Sequence, residues 1–339
     1  MTKMIETNHK PTIYCTQALQ EEVMTSLSQR YNVKCSAKTN QYELMQGVRD
    51  TDGLICLLTD KINMKVIDQN PQLKVISTVS VGHDRIDVDY ATSLGIPVAN
   101  TPGVLTQTTA DHAILLMLAA GRNLIRAVTD LRGGNYEGWK LEDPYLGVDL
   151  YKKTVGIVGF GQIGQAIGKR AHGGFEMEVL YNNRSQSPNG CQDLGYSARY
   201  VALDELLRKS DFVSANLPLT KGTVNFFGTR EFGLMKPTAV FVNTSRGSVV
   251  DEEALIRALA NGTIAAAGID VFKNEPNINL NLLSVPNLTI SPHIGSSSKK
   301  TRTQMSELAV ENLDAALEGN PIPNLVNPDY IRHRRYTHT

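Results

Sequence analysis

Three ionisable side chains follow predicted β-strands in the second half of the chain. Arg246 comes after the run FVNTS, Glu275 comes after the strand that ends at Asp270, and His293 comes after the run LTISP. Arginine offers a fixed fork of N–H donors to a carboxylate, and histidine exchanges a proton near neutral pH. A carboxylate beside a histidine orients the imidazole and favours its protonated form. Together these groups suit hydride transfer to a 2-oxo acid, although each alone can equally be a salt-bridged surface residue.

A glycine-rich turn follows another predicted strand, in the segment TVGIVGFGQIGQAIGKR at 154–170. Gly159, Gly161 and Gly164 have the GxGxxG spacing between a strand and the start of a helix. In that setting the first glycine permits a tight turn, the second leaves room for a pyrophosphate, and the third lets helix and strand pack closely. The helix N-terminus directs free N–H groups at the phosphates. The segment predicts a dinucleotide site, and the alternative is a glycine-rich turn without a ligand.

The end of the next strand bears on which nicotinamide cofactor binds. An Asp or Glu about 20 residues beyond the glycines would bind the ribose 2′-hydroxyl of NAD. The sequence there is VLYNNRS, which contains no acid. Asn183 and Ser185 can donate hydrogen bonds to a 2′-phosphate, and the Arg184 guanidinium can pair with it. We therefore predict NADP (NADPH) as the preferred cofactor, with NAD as an alternative, unless Arg184 is a solvated surface charge and the selectivity is loose.

These side chains require parallel strands whose carboxyl ends meet. Short apolar runs alternate with helix-like stretches, which predicts an α/β fold with two doubly wound parallel sheets. In such sheets ligands gather at the carboxyl ends of the strands, so Arg246, Glu275 and His293 should open on one crevice beside the nucleotide. The predicted strands are 12–15, 33–36, 53–58, 73–78, 96–99, 154–158, 177–181, 198–201, 211–215, 239–243, 264–269 and 287–291.

Three predicted helices and one irregular stretch complete the outline. The helices are 18–30, 104–122 and 305–317, and the second is apolar on nearly every side and therefore buried. His112 in that helix is expected to be a packed core histidine rather than a ligand. The stretch 132–148 is predicted to be an irregular connection, in which Trp139 is a candidate dimer-contact or pocket residue.

The final helix is expected to pack back on the first sheet, which makes the first domain discontinuous in sequence. We predict a Rossmann dinucleotide-binding domain at 104–293, inserted in a flavodoxin-like substrate domain at 1–103 and 294–330, with a tail at 331–339. In the first domain, the turn that contains Val81 and Gly82 can bind a small anion through backbone N–H groups, or can be a plain turn.

Composition argues against several classes of function. Lys plus Arg and Asp plus Glu are 34 each, so no net charge attracts nucleic acid or a membrane surface. No run approaches the roughly 18 apolar residues of a membrane span, and the polar N-terminus lacks the core of a signal peptide. The cysteines at 15, 35, 56 and 191 show no metal-ligand spacing and are expected to be buried reduced thiols. The sequence therefore predicts a cytoplasmic enzyme without a metal.

Four segments resemble those of the D-2-hydroxyacid dehydrogenase family: GFGQIG, NTSRGSVVDEEAL, GIDVFKNEP and SPHIGSSS. The resemblance covers about residues 45–327, and the order Arg, Glu, His is its most specific feature. The stretches ISTVSVGHD, RAHGGFEMEVLYNNR and KTVGIVGFGQIG are similar to the bacterial glyoxylate/hydroxypyruvate reductase subgroup, which also reduces 2-keto-D-gluconate. The resemblance implies NADPH-dependent reduction of small 2-oxo acids to D-2-hydroxy acids.

The resemblance also implies roles for individual residues. Arg246 matches the substrate-binding arginine, Glu275 the carboxylate partner, and His293 the acid/base. Val81 and Gly82 match the backbone site for the substrate carboxylate. The residues that match cofactor contacts are Gly161, Gln162, Ile163 and Gly164 in the phosphate turn, Asn183, Arg184 and Ser185 at the 2′-phosphate, Asp270 at the nicotinamide amide, and Thr106 and Thr244. The family's proteins are usually homodimers, which implies a homodimer here.

Some features leave alternatives open. His83 stands where relatives often carry tyrosine, so the size of the substrate is not determined. Formate dehydrogenases on a similar scaffold carry glutamine where Glu275 stands, which argues against formate, whereas phosphite oxidation stays an alternative. Outside enzymes, the alternative is a nucleotide-sensing binding protein similar to the dehydrogenase-derived corepressors, which can keep the same three side chains.

Overall fold

The computed structural model describes residues 10–36, 40–185 and 194–333, and the chain divides into two compact units. Unit 1 comprises Met1–Leu105 and Ser298–Thr339, and unit 2 comprises Thr106–Ser297. The boundaries predicted from the sequence, after residues 103 and 293, lie slightly before those of the units. Each unit is built around its own parallel sheet, as an α/β fold of two doubly wound domains requires.

Unit 1 contains a five-stranded parallel sheet of order β2-β1-β3-β4-β5. This is the flavodoxin-like order, in which the chain reverses direction across the sheet between β1 and β3. The strands are β1 (Thr12–Cys15), β2 (Asn32–Cys35), β3 (Gly53–Cys56), β4 (Val75–Thr78) and β5 (Val98–Ala99). The helices of this unit are α1 (Glu21–Arg30), α2 (Gln41–Gly47), α3 (Met64–Ile67), α4 (Val88–Ser93) and α11 (Lys299–Glu318).

Unit 2 contains a seven-stranded parallel sheet of order β12-β11-β10-β9-β6-β7-β8. Its first six strands follow the Rossmann order, with the reversal between β6 and β9. The strands are β6 (Thr154–Val158), β7 (Glu178–Asn182), β8 (Ala198–Tyr200), β9 (Phe212–Ala215), β10 (Val240–Asn243), β11 (Ala266–Ile269) and β12 (Leu288–Ile290). The helices are α5 (Thr106–Gly121), α6 (Leu124–Arg132), α7 (Gln162–Phe175), α8 (Leu203–Lys209), α9 (Thr229–Leu234) and α10 (Glu252–Ala260).

Helix α5 is buried on most of its surface, because it packs on α7 and across β10 and β11. Gly268 on β11 makes this approach close: a Cβ there would lie 3.0 Å from Leu116 Cβ. The apolar sequence of the helix predicted this burial. His112 lies within the buried face.

Helix α11 is longer than predicted. It begins at Lys299 rather than near Met305, because the Ser298 side chain accepts a hydrogen bond from the Thr301 N–H and caps the first turn. It packs on β3, β4 and α1 within unit 1. The first residues of the predicted tail, 331–333, belong to a 3₁₀ turn at Pro328–His333 that packs on α4. The rest of that tail, 334–339, lies outside the described residues.

Two further findings concern classes of site. Within the described part of the chain, no helix is both long and apolar enough to cross a membrane. No group of three or more His, Cys, Asp or Glu side chains in that part is arranged to hold a metal ion.

The expectation of buried cysteines is wrong for Cys35, which is exposed, whereas Cys15 and Cys56 are buried. Cys191 lies outside the described residues.

Candidate active site

His293 and Glu275 form a hydrogen-bonded pair at the carboxyl edge of the sheet in unit 2. The imidazole Nδ1–H donates to Glu275 Oε2 over 2.7 Å, and both side chains are mostly but not fully buried. The other carboxylate oxygen, Oε1, accepts a hydrogen bond from the Phe272 N–H at 2.8 Å. Glu275 therefore keeps a proton on Nδ1 of His293. The other ring nitrogen, Nε2, is left to exchange a proton with a ligand.

Arg246 lies on the neighbouring loop, which follows β10. The Asn243 side chain shapes this loop, because its Nδ2 donates to Arg246 O and its Oδ1 accepts from the Ser245 N–H. The loop packs against the loop of Glu275 at Gly247, where a Cβ would lie 1.9 Å from the carbonyl carbon of Phe272. Only glycine allows this approach, so the arginine loop and the glutamate loop are locked side by side.

The charge of Glu275 reflects these neighbours. Burial by itself raises the pKa of the carboxyl group. The hydrogen bonds from His293 and from the Phe272 N–H, with the positive charges of His293 and Arg246, outweigh burial and lower the pKa below its usual value. Glu275 is therefore an anion near neutral pH, as a partner that orients an imidazole must be. The structure brings together the three side chains that the sequence placed at strand ends.

The backbone of His293 is unusual, because its φ is +55° and the residue is not glycine. This left-handed conformation costs of order 1 kcal/mol or more for such a residue. Asp270, directly after β11, supplies the contacts that hold it. Its carbonyl oxygen accepts from the His293 N–H at 2.8 Å, and its carboxylate accepts from the N–H groups of Ile294 (2.9 Å) and Gly295 (2.7 Å).

Two side chains that sequence reasoning did not assign to the site complete the surroundings of Asp270. Ser291 Oγ donates to Asp270 Oδ1 at 2.6 Å, and His112 Nε2 lies 2.8 Å from Ser291 Oγ and 3.2 Å from Asp270 Oδ1. Burial raises the pKa of Asp270, but the hydrogen bonds from His112, Ser291 and the Ile294 N–H lower it overall. Ser291 could have been assigned to the site from the sequence, because it lies two residues before His293. His112 could not, because it lies on a helix remote in sequence.

The glycine turn between β6 and α7 has the geometry that a dinucleotide needs. Gly159 has a φ of +93°, and a Cβ there would lie 2.5 Å from Asn216 O, after β9. A Cβ on Gly164 would lie 2.4 Å from Gly159 O, so this glycine lets the helix approach the strand. At Gly161, the N-cap of α7, a Cβ would meet no atom of the described residues within 4 Å, its two chain neighbours aside. The sequence places glycine where the protein itself does not require it, which fits space kept for a phosphate.

The residues proposed for the 2′-phosphate lie at the end of β7. Asn183 Oδ1 accepts a hydrogen bond from the Phe160 N–H at 2.7 Å, so this side chain also shapes the glycine turn. Arg184 and Ser185 are exposed. A carboxylate is absent from 182–185, as the sequence shows.

The remaining predicted cofactor residues lie at two places, at the start of α7 and after β10. Gln162 and Ile163 form the first turn of α7, and Thr106 Oγ1 lies 3.4 Å from Gln162 Oε1. Thr244 Oγ1, beside Arg246, is buried without a hydrogen-bond partner in the described part of the chain. An orphaned hydroxyl at this edge of the sheet fits a group that a bound dinucleotide would satisfy.

Val81 and Gly82 belong to unit 1, after β4. The carbonyl groups of this turn are engaged, because Asn100 Nδ2 donates to Val81 O at 2.8 Å and Ser80 Oγ donates to Gly82 O at 2.6 Å. His83 is exposed. That these two residues bind a substrate carboxylate stays a prediction.

Comparison with known proteins identifies relatives of this chain. The family model of the D-isomer specific 2-hydroxyacid dehydrogenase NAD-binding domain matches residues 114–295. A glyoxylate reductase of Thermococcus litoralis is 43% identical over 329 residues, which cover 95% of this chain and 98% of the relative. A solved protein of Thermus thermophilus superposes with a TM-score of 0.85 at 39% identity, and covers 93% of this chain and 99% of its own.

A second solved structure holds ligands. It is an NADPH-dependent glyoxylate/hydroxypyruvate reductase of Sinorhizobium meliloti, in complex with NADP and malonate, with a TM-score of 0.84 and 33% identity. The match covers 97% of this chain and 100% of that one. The parallel sheets, the glycine turn and the Arg–Glu–His arrangement agree with these relationships. The chain belongs to the D-isomer specific 2-hydroxyacid dehydrogenase family and is an NAD(P)-dependent 2-hydroxyacid oxidoreductase.

Proposed function

We propose that the protein reduces small 2-oxo acids, with glyoxylate and hydroxypyruvate as principal substrates and 2-keto-D-gluconate as a larger one, to D-2-hydroxy acids. The observation that carries this proposal is the 2.7 Å hydrogen bond between His293 and Glu275 beside Arg246. This set supplies a proton donor, its orienting carboxylate and a cation for the substrate carboxylate. The glyoxylate reductases of similar sequence support the choice of substrate class.

The chemistry of the residues follows from their positions. The Arg246 guanidinium binds the substrate carboxylate through charge-assisted hydrogen bonds and polarises the adjacent carbonyl group. His293, protonated and oriented by Glu275, donates the Nε2 proton to the oxygen that becomes the hydroxyl group. Glu275 stabilises the imidazolium before transfer and keeps the ring in place afterwards. When held at the glycine turn, the dihydronicotinamide cofactor would supply the hydride that reduces C2 of the substrate.

We also propose NADPH as the preferred cofactor, with NADH as a weaker one. The turn formed by Gly159, Gly161 and Gly164 would hold the pyrophosphate, and the orphaned Thr244 hydroxyl would contact the cofactor. No acid at 182–185 repels a 2′-phosphate, and Arg184 is exposed and can pair with one. The solved relative in complex with NADP supports this preference.

We propose, finally, that the protein is a homodimer. Helix α6 has no buried residue, and every residue from 131, in its last turn, to 142 is exposed. Several large apolar side chains in this part of unit 2 face solvent: Leu131, Tyr136, Trp139, Leu141 and Leu146. We name these five side chains the apolar arm. Several exposed large apolar side chains along one stretch are typical of a surface that another protein covers, and a second copy of this chain is the occupant that the family resemblance favours.

The experiment that tests the function is a panel of assays that follow absorbance at 340 nm. Glyoxylate, hydroxypyruvate and 2-keto-D-gluconate are each supplied with NADPH or NADH, and phosphite with NADP⁺ or NAD⁺ serves as the competing reaction. We expect the highest kcat/KM with NADPH and glyoxylate or hydroxypyruvate. Turnover of phosphite alone would replace the proposal, and NADPH binding without any turnover would favour a nucleotide-sensing protein.

The role of His293 is tested by His293→Ala in the same assay. We expect kcat to fall about 100-fold or more, because a general acid contributes about that much. NADPH binding, measured by fluorescence titration, should persist. The matched control is His172→Ala, an exposed histidine on α7, which should keep kcat. Wild-type turnover in His293→Ala would contradict the assignment.

A further inference from the structure

The buried imidazole of His112 is a titratable group that the proposed mechanism does not use. It lies on α5, 158 positions before Asp270 in the sequence, yet its Nε2 reaches both Ser291 Oγ and Asp270 Oδ1. Sequence reasoning placed it among ordinary core histidines. The Nε2 atom of this histidine faces a buried carboxylate and a hydroxyl that is itself bound to that carboxylate, so it joins a polar cluster rather than a purely apolar core.

The single hydroxyl proton of Ser291 determines the direction of these hydrogen bonds. Ser291 has one hydroxyl proton, and it donates that proton to Asp270 Oδ1 at 2.6 Å. At the 2.8 Å contact with His112, Ser291 Oγ must therefore accept. His112 thus carries a proton on Nε2 in either charge state, and this proton is shared between Ser291 Oγ and Asp270 Oδ1. The imidazole is a donor to the cluster and not an acceptor from it.

The carboxylate that receives these donors controls the backbone of the proton donor. Three successive N–H groups, those of His293, Ile294 and Gly295, donate to the carbonyl oxygen, Oδ1 and Oδ2 of Asp270. They hold His293 at a φ of +55°, a conformation that costs a non-glycine residue about 1 kcal/mol or more. If the carboxylate rotated or took up a proton, it would lose acceptor sites for these N–H groups. The His293 imidazole would then no longer be oriented toward Glu275.

We propose that His112 is a positioning residue for the proton donor. Its Nε2–H completes the donors around the Asp270 carboxylate, and through that carboxylate it fixes the backbone segment from which His293 reaches Glu275. This inference rests on the proposed function, because it needs His293 to be the acid. His112 itself touches neither reacting group.

The pH dependence of kcat distinguishes a positioning role of His112 from a packing role, because the loss of packing alone would not change the pH profile. The charged or titratable side chains on the segments next to Asp270 are Asp111 and His112 on α5, Arg246 after β10, Lys273 and Glu275 on the same loop, and His293 after β12. Among them, His112 is the one that lowers the pKa of Asp270 by direct hydrogen bonding and by charge. Removal of its N–H therefore raises the pKa of Asp270, and the acidic limb of the kcat profile moves to higher pH.

The test compares His112→Leu with His112→Gln. Leucine removes the donor and keeps an apolar side chain, whereas the glutamine amide can present an N–H where Nε2 stood. With glyoxylate and NADPH, we expect His112→Leu to lower kcat about tenfold or more, since a misplacement of about 1 Å can cost about 100-fold. The KM for glyoxylate should change little, because Arg246 is held by other contacts. His112→Gln should recover most of kcat, and its acidic limb should lie between those of the wild type and His112→Leu, because the amide restores the hydrogen bond but not the charge of the imidazole.

Controls separate this role from packing and from failure of the function itself. Met117→Ala makes a cavity on the same buried helix and should lower Tm without moving kcat or the pH profile. If His112→Leu does not fold, Ser291→Ala removes the other side-chain donor to Asp270 and should shift the acidic limb in the same direction. The inference is overturned if His112→Leu behaves as wild type, or if His112→Gln is as impaired as His112→Leu. Absence of turnover in the wild-type enzyme would instead refute the proposed function.

Discussion

At the scale of single residues, Glu275 connects catalysis with acid stability. Its pKa in the folded protein lies below its usual value, because the hydrogen bonds from His293 and the Phe272 N–H outweigh burial. A carboxyl group with a depressed pKa binds fewer protons in the folded state than in the unfolded state. Its contribution to stability is therefore complete above the unfolded pKa, and it is lost as the pH falls through the folded pKa.

Glu275→Gln should remove this dependence. We expect the Tm of the wild type to fall more steeply than that of Glu275→Gln between about pH 5 and pH 3, where the unfolded carboxyl groups take up protons. At neutral pH kcat should fall by about tenfold or more, because the imidazolium loses its charged partner. Thermal unfolding at a series of pH values measures the first effect. Glu311→Gln, an exposed position on α11, is the control, and parallel Tm curves for Glu275→Gln and the wild type would contradict the argument.

The residue types and their order predicted that Arg246, Glu275 and His293 follow apolar strands of one parallel sheet, and the structure places them there. Their roles in catalysis stay predictions. The structure around Asp270 could not be predicted in this way. Its partner His112 lies on a helix that the apolar pattern identified only as buried, and no local spacing shows which strand end that helix faces. The exposure of Cys35 was also missed, since β2 is an edge strand whose position depends on the strand order.

At the scale of elements, the turn from β6 into α7 uses its glycines for different purposes. Gly159 and Gly164 are required by the protein itself, because a Cβ at either position would collide with backbone oxygen atoms. Gly161 has a φ of −81° and open space around its Cβ position, so the fold alone does not need glycine there. We propose that glycine is needed there by a ligand that approaches the backbone, which is the role that the motif predicts.

Gly161→Ala should therefore change the affinity for NADPH, whereas Gly164→Ala should change the stability of the fold. Gly161→Ala should keep or slightly raise Tm, since alanine restricts the unfolded chain, while the Kd for NADPH rises about tenfold or more, or about 1.4 kcal/mol. Gly164→Ala should lower Tm, because its Cβ would lie 2.4 Å from Gly159 O. Calorimetry and fluorescence titration measure the two effects. Wild-type NADPH affinity in Gly161→Ala would show that the turn does not contact the phosphates.

The elements were predictable in type and order but less so at their ends. Hydrophobic patterning placed all twelve strands, and the observed strands are mostly shorter because apolar residues continue past the last ladder hydrogen bond. The start of α11 was misplaced because the apolar spacing begins inside the helix, whereas the Ser298 cap sets its actual start. Capping depends on one polar side chain, so periodicity alone does not locate it.

At the scale of the whole molecule, the apolar arm is the feature that a single copy leaves unexplained. Trp139 and Leu141 are 80% and 79% exposed, and they lie in a stretch of unit 2 without helix or strand. Exposed side chains of this size carry a large solvation cost, and aromatic residues of this kind often dominate the energetics of an interface. A homodimer that buries the arm would explain both the composition of the stretch and its lack of internal packing.

Leu141→Glu should weaken the proposed dimer, because a buried charge without a partner costs several kcal/mol. By light scattering after size exclusion, the wild type should have twice the chain mass of 37.2 kDa, and the variant should shift toward a single chain mass as it is diluted. The control is Leu280→Glu, which places the same charge at a leucine of unit 2 that is 69% exposed and is not part of the apolar arm, and it should keep the dimer. A wild-type monomer, or a Leu141→Glu dimer as stable as the control, would show that the arm is not the contact between two copies.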